Sequence, residues 1–172
     1  MGFVVKNGSL LHIGAGSNPL PDWLNAFRET RLDINADCNP DVVASMIDIG
    51  EIGTFDAVLC QHALEHLYPH EVSIALKEFG RVLNKGGFVL IFVPDLEDVQ
   101  PTDEVLFNSE SGDISGIDLY YGFRPALADN PHMAHKTGFV SQSLKSALKD
   151  AGFNQIVVTR LSPYNLMGIG VK

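Results

Sequence analysis

The sequence is poor in cysteine, in positive charge and in long apolar runs, and each shortage removes a class of function. It has two cysteines, Cys38 and Cys60, in 172 residues. They lie far apart and outside any metal-ligand spacing. Neither a disulfide framework nor a cysteine-based zinc site is expected, and both read as small buried hydrophobes of a reducing compartment. Lys and Arg number 12 against 21 Asp and Glu, a net charge of −9. No Lys/Arg cluster interrupts this acidic balance. Binding a nucleic-acid backbone needs a basic surface, so no nucleic-acid partner is expected. No apolar stretch reaches the length of a membrane span. Met1–Leu11 lacks the long apolar segment of a secretory leader, and the expected compartment is the cytoplasm. What remains, 45% hydrophobic and 19% charged, suits one well-cored globular unit, read as a single domain over residues 1–172.

A particular glycine is missing as well. In the stretch Ser-Leu-Leu-His-Ile-Gly-Ala-Gly-Ser-Asn-Pro at 9–19, Leu10, Leu11 and Ile13 form a short apolar strand. Gly14 and Gly16 permit a tight turn where a ligand can approach bare backbone. Asn18 can cap a helix, and Pro19 suits its first position. The next apolar run ends in Asp33, 17 residues after Gly16. A carboxylate at the tip of a second strand is placed to accept hydrogen bonds from ribose hydroxyls. The dinucleotide-binding form of this turn has a third glycine, for close helix–strand packing beneath a pyrophosphate. Pro19 stands there instead. A ligand with adenosine but no pyrophosphate does not need that geometry, and S-adenosylmethionine (SAM) is such a ligand. The same departure counts against a nicotinamide-dependent dehydrogenase.

Short continuous apolar runs predict strands at Leu10–Ile13, Arg31–Ile34, Val42–Ala44, Ala57–Cys60, Phe88–Val93, Gln155–Arg160 and Leu166–Val171. Helices are predicted near Pro19–Phe27, Ala63–Leu67, Glu71–Leu83 and Ser141–Ala151. In the third, Val72, Ala75, Leu76, Phe79, Val82 and Leu83 recur at helical spacing, and Asn84-Lys85-Gly86-Gly87 reads as its cap and the following turn. Alternating strands and helices imply an α/β fold: Rossmann-like, doubly wound, with a mostly parallel seven-stranded sheet. The link between the last two strands, Ser162-Pro163-Tyr164-Asn165, is too short for a parallel crossover, so the C-terminal strand is antiparallel. Asp95 to Gly138 breaks the alternation. With little periodicity and many turn residues, it reads as an inserted loop at about 95–138 that binds an acceptor. It carries Tyr120, Tyr121, Phe123, Arg124, His132, His135 and Lys136.

Taken in order, Gly14-Ala15-Gly16, Asp33, Phe55-Asp56-Ala57-Val58, His62-Ala63-Leu64-Glu65-His66-Leu67, Arg81-Val82-Leu83-Asn84-Lys85-Gly86-Gly87 and Val93-Pro94-Asp95-Leu96 resemble the motifs of class I SAM-dependent methyltransferases. The resemblance covers nearly the whole chain. It extends to small bacterial methyltransferases associated with cell-surface polysaccharide synthesis, through Asn-Pro-Leu-Pro-Asp-Trp-Leu at 18–24, Pro-Asp-Leu at 94–96 and His-Lys-Thr-Gly-Phe at 135–139. It implies SAM as cofactor and a small-molecule or glycan acceptor. Gly14, Ala15 and Gly16 would lie along the methionine part of SAM. Asp33 would bind the ribose, with Ile34 against the adenine. Ser45 stands where the family commonly has an acid facing the adenine amino group, followed by Met46 and Ile47, with Asp48 three residues on. Gln61 and His62 would lie near the methyl group. Many relatives place an N-terminal helix over the pocket. This chain starts at its first strand, which implies an open site or one completed by another subunit, as in a homodimer.

For a base that would help an acceptor hydroxyl or amine lose its proton, the candidates are His62, His132, His135 and Tyr121, the last with its neighbour Tyr120. Tyr121, Arg124, His132 and His135 are expected to serve the acceptor more than the cofactor. Asp95 could face either ligand or form a turn after Pro94. His62-Ala-Leu-Glu65-His66 also spells H-x-x-E-H, a zinc-protease signature. No third ligand is evident in the sequence, and the segment follows a strand of the nucleotide-binding sheet, so no metal is expected. The main alternative to an enzyme is a non-catalytic SAM-binding subunit or regulator.

Overall fold

The computed structural model describes residues 8–109 and 111–172; residues 1–7 of the stretch read for a leader lie outside them. The central strand is β1 (Ser9–Ile13). Its Leu11 and Ile13 point to one core and its Leu10 to another. Buried on both faces, β1 pairs in parallel with β2 (Arg28–Asp33) and with β4 (Phe55–Gln61), Leu11 lying opposite Thr30 and Val58. With β3 (Val42–Val43), β5 (Leu83–Pro94), β8 (Asn154–Leu161) and β9 (Asn165–Val171), the seven-stranded sheet has the order β3-β2-β1-β4-β5-β9-β8. The first five strands in that order are parallel, and β9 runs antiparallel to both β5 and β8. The short 162–165 link therefore acts as the sequence predicts.

Several elements differ from expectation. The helix α1 (Pro69–Val82) starts earlier than predicted, with Pro69 in its first turn and the Glu71 carboxylate accepting from the Tyr68 N–H at 2.8 Å. Its stripe Val72, Ala75, Leu76, Phe79 and Val82 is buried. The chain then passes directly into β5, so Asn84 to Gly87 are strand residues and not a turn. The predicted helix at Pro19–Phe27 is one 3-10 turn at Asp22–Leu24, and that at Ala63–Leu67 is one at Leu64–His66. Pro19 and Pro21 explain the first. Each lacks an N–H and restricts the residue before it to extended backbone, which leaves no room for a longer helix.

These changes alter the layering. α1 and α3 (Ser141–Asp150) both bury their apolar stripes in the same core, with Leu11, Val58 and Ile91 of the sheet. The opposite face, with Leu10, Leu59 and Leu90, is packed by Leu20, Leu24 and Phe27 of the proline-rich segment. The expectation of a doubly wound sheet, helical on both faces, is thus corrected: the two long helices share one face.

The 95–138 segment is not an irregular loop either. It holds a hairpin of β6 (Val105–Ser109) and β7 (Gly112–Ser115), the short helix α2 (Gly116–Tyr121), and 3-10 turns at Arg124–Ala126 and Pro131–Met133. Val99, Ile114 and Leu119 form its own small core with Phe107, Tyr120 and Phe123. Elements this short show no periodicity in a sequence window. The insert's two ends meet, where the Leu96 N–H donates to the Phe139 carbonyl at 2.9 Å. Among the described residues, no helix is long and apolar enough to cross a membrane.

Candidate active site

The parallel strands β1, β2, β4 and β5 end along one edge, and a cavity of about 1210 Å³ opens there, roofed by the insert. In such sheets the crevice at the carboxyl ends of the strands is where ligands bind. One wall is the turn after β1. Gly14 and Gly16 have φ of 64° and 50°. A Cβ on Gly14 would overlap the Ala63 Cβ, whereas one on Gly16 would meet open space. Gly14 thus lets the turn pack against the segment after β4, and Gly16 bares backbone to the cavity. Asp33 braces this turn. Its Oδ2 accepts from the Gly16 N–H at 2.7 Å, and its Oδ1 from the Asn35 N–H at 2.8 Å. A carboxylate has about four lone-pair positions, so further donors can still be bound. Arg31 donates to the Gly16 carbonyl at 2.8 Å and holds the turn from its other side.

Of the residues singled out in the sequence, Gly14, Gly16, Asp33, Ile34, Ser45, Met46, Ile47, Gln61, His62, His132 and His135 all line this cavity. Ala15 is buried behind it, its N–H on the Leu32 carbonyl at 3.2 Å. Asp48 is not in the lining; it closes a turn on the Ser45 carbonyl. Tyr121 is 62% exposed and outside the lining. Arg124 is outside it too, held by Asp118 at 2.8 Å and Asp103 at 2.9 Å. Asp118 also accepts from Ser115, and these bonds outweigh the effect of burial and hold its carboxyl far below the usual range. Tyr120 donates to the Val99 carbonyl within the insert. Asp95 pairs with Arg160 and accepts from the Glu97 N–H at 3.0 Å, away from the cavity.

The wall facing the glycine turn is built from the 3-10 turn after β4. His62, at the tip of β4, has a positive φ of 49°, a conformation that is uncommon outside glycine. Its N–H donates to the Phe92 carbonyl at 2.9 Å, and its Nδ1 lies 3.5 Å from Glu65 Oε1. Glu65 is 1% exposed. Burial alone would raise its pKa, but the hydrogen bond to His62 and the nearby His66 and His135 prevail and lower it. The far end of the insert is stitched to this turn. The Lys136 and Thr137 N–H groups donate to the Glu65 carbonyl at 2.8 and 3.1 Å, and the Thr137 hydroxyl donates to the Leu67 carbonyl at 2.6 Å. His135 thereby comes to 5.2 Å from His66, ring centre to ring centre. Burial lowers the His135 pKa, against the pull of Glu65.

The sequence reading missed other lining residues: Phe107, Asn108 and Ile114 of the hairpin, Tyr68 and Glu71 at the start of α1, Tyr164 of the link after β8 and Asn165 at the start of β9. No local motif marks them, because each reaches the cavity through packing of the insert or the end of the sheet. Two buried oxygens in the lining residues, Glu65 Oε2 and Asn165 Oδ1, have no hydrogen-bond partner among the described residues.

A family model described as a methyltransferase domain matches residues 11–91, the part of the chain that carries the glycine turn, Asp33 and α1. An S-adenosylmethionine-dependent methyltransferase from Mesorhizobium loti superposes with a TM-score of 0.69 at 12% identity, over 98% of this chain and 92% of that one. The fold is that of the SAM-dependent methyltransferases. A Burkholderia thailandensis 1,6-didemethyltoxoflavin-N1-methyltransferase, solved with 1,6-didemethyltoxoflavin and S-adenosylhomocysteine, gives a TM-score of 0.62 at 15% identity, over 97% of this chain and 72% of that one. PigF, solved with SAH, gives 0.62 at 17% identity, over 95% of this chain. This chain spans about half the length of PigF, 50%. A search of the curated proteins found no match.

Proposed function

We propose that this chain is a SAM-dependent methyltransferase acting on a small-molecule or glycan acceptor held beneath the insert. The observation that carries the reading is one cavity with two unlike walls. On one side are bare backbone at Gly16, the braced carboxylate of Asp33 and the apolar surface of Ile34, Met46 and Ile47. On the other are His62, Glu65, His66, His132 and His135. The first wall suits an adenosine with a charged methionine tail. Asp33 keeps lone pairs for ribose hydroxyls, Ile34 and Met46 cover an adenine face, and the Gly16 backbone admits the tail. At about 1210 Å³ the cavity exceeds the roughly 300–1000 Å³ of a single-ligand pocket, which leaves room for an acceptor beside the cofactor.

Bound SAM supplies a methyl group on a sulfonium, whose leaving thioether is neutral. The protein's task is therefore alignment and desolvation. Gln61 ends β4 and His62 follows it, both in the cavity lining. His132 and His135 on the acceptor side are the candidate groups to take a proton from a hydroxyl or amine. Burial favours neutral His135, the form a base requires. Glycan and polysaccharide-linked acceptors fit the polar lining of Asn108, His132 and Tyr164 as well as small molecules do.

Calorimetry of the purified chain with SAM, SAH and NAD tests the cofactor. Binding of SAM and SAH with no binding of NAD is expected, and the reverse pattern overturns the proposal. SAH release across a panel of glycan, sugar-nucleotide and small phenolic acceptors tests catalysis. SAM binding without turnover on any of them would favour the regulator reading.

A further inference from the structure

The wall facing the glycine turn holds a group of side chains that SAM binding does not use. A ligand atom from each of Glu65, His66 and His135 lies within 4.8 Å of the other two. Both histidines spend Nδ1 on a backbone carbonyl: His66 on Ala134 at 3.2 Å and His135 on Leu119 at 2.9 Å. A carbonyl only accepts, so each Nδ1 donates its proton there, and Nε2 is the nitrogen each ring has left for a ligand. Glu65 Oε2 is buried, with no hydrogen-bond partner among the described residues. A buried carboxylate oxygen with no partner among the described residues therefore stands beside two imidazoles whose Nδ1 groups are already committed. A buried polar group left so is costly, and a cation shared by all three removes the cost.

We propose that Glu65, His66 and His135 bind one divalent transition-metal ion of the zinc class, with its remaining coordination open to the acceptor side of the cavity. Two imidazoles and one carboxylate with a vacant position are the donor set of catalytic, not structural, zinc sites. Ligand atoms about 2.0–2.2 Å from a tetrahedral ion stand about 3.4 Å apart, so the three groups need close by little more than 1 Å, within reach of side-chain torsions. The carbonyl partners of the two Nδ1–H groups fix tautomer and ring orientation, as the outer hydrogen bonds of metal-ligating histidines do. His62, 3.5 Å from Glu65 Oε1, restrains the carboxylate from its other oxygen. The ligand set differs from the one H-x-x-E-H suggests: His62 braces, and the third ligand arrives from the insert. Where the open position takes an acceptor oxygen, the ion acidifies that hydroxyl; His135, spent as a ligand, then leaves His132 in the lining as the group to take the proton. This last role rests on the methyl-transfer reading; metal binding does not.

The test is zinc binding by the metal-stripped full chain, measured by calorimetry and elemental analysis, with SAH titrated into the same samples. One zinc per chain is expected, with Kd below about 1 μM. Glu65→Gln, His66→Ala and His135→Ala should each weaken it by about 100-fold or more while SAH affinity and circular dichroism persist. His70→Ala, an exposed histidine stacked on Tyr68, should leave it unchanged. Cobalt added to the wild-type chain should give the intense visible absorption of a four- or five-coordinate site, a readout that needs no variant to fold. Absence of zinc uptake at about 100 μM, zinc binding that survives His135→Ala, or a cobalt spectrum like that of the aqueous ion overturns the proposal. Loss of SAH binding alone, with zinc retained, counts against the methyl-transfer reading and not against the metal site.

Discussion

Gly14→Ala separates two roles of the glycine turn, and its size follows from the geometry. Gly14 has a φ of 64°, and a Cβ there overlaps the Ala63 Cβ, well inside the contact distance of about 3.5–4.0 Å. The left-handed backbone costs an alanine about 1–2 kcal/mol. Forcing a methyl into a packed contact costs about 1–3 kcal/mol more. A loss centred near 3 kcal/mol lowers Tm by roughly 6–12 °C in a chain of this length. Gly16 shares the conformation, φ 50°, but its Cβ would meet open space. Gly16→Ala should therefore incur only the backbone part, about 1–2 kcal/mol, while narrowing the way to the bare backbone and weakening SAM. Ala63→Gly in the Gly14→Ala background removes the overlap, and the double variant should recover about 1–3 kcal/mol relative to the sum of the single changes. Urea denaturation of the wild type, Gly14→Ala, Gly16→Ala, Ala63→Gly and the double variant, followed by circular dichroism, measures the cycle and the comparison. Equal losses at Gly14 and Gly16, or no coupling between positions 14 and 63, would refute the packing argument.

Asp33→Ala should weaken SAM by about 1–3 kcal/mol, or roughly 5- to 150-fold, by removing charged acceptors; calorimetry reads this directly, and unchanged affinity would place the ribose elsewhere. Tyr121→Ala should leave SAM affinity and turnover within about threefold, because Tyr121 lies outside the cavity; a larger fall in turnover would show that the insert moves it inward. Phe79→Ala, at a fully buried position of α1, should cost about 3–5 kcal/mol, seen as a fall in the urea midpoint. Burial holds His12 and His135 below their ordinary value of 6.5. The unfolded chain therefore binds more protons as pH falls through about 6.5, and stability present above that value is lost below it. Scanning calorimetry should show Tm dropping between about pH 7.5 and 5.5, and a flat profile would contradict the burial of these rings.

The glycine-turn wall, where the cofactor is proposed to bind, was legible in the sequence because its geometry is local. Strand, glycine turn and a carboxylate at the next strand end are set by neighbours in the chain, and Pro19 in place of a glycine already pointed to an adenosine without pyrophosphate. The antiparallel last strand was equally local, since a four-residue link from Ser162 to Asn165 admits no crossover. The wall proposed for the acceptor was not legible. Its hairpin and short helix are too brief to leave a periodic trace, and only their packing decides which polar groups face the cavity. Packing places His132 and His135 in the lining, leaves Tyr121 outside it, and ties Arg124 to Asp118 and Asp103. The predicted helix at Pro19–Phe27 failed for a reason already printed in the chain, the prolines at 19 and 21, but its consequence, two long helices sharing one face, appears only in three dimensions. The sequence offered His62 and His66 without a third ligand. The fold carries His135 to Glu65 and His66 through backbone hydrogen bonds from Lys136 and Thr137 to the Glu65 carbonyl, a contact across some seventy residues that no local spacing encodes.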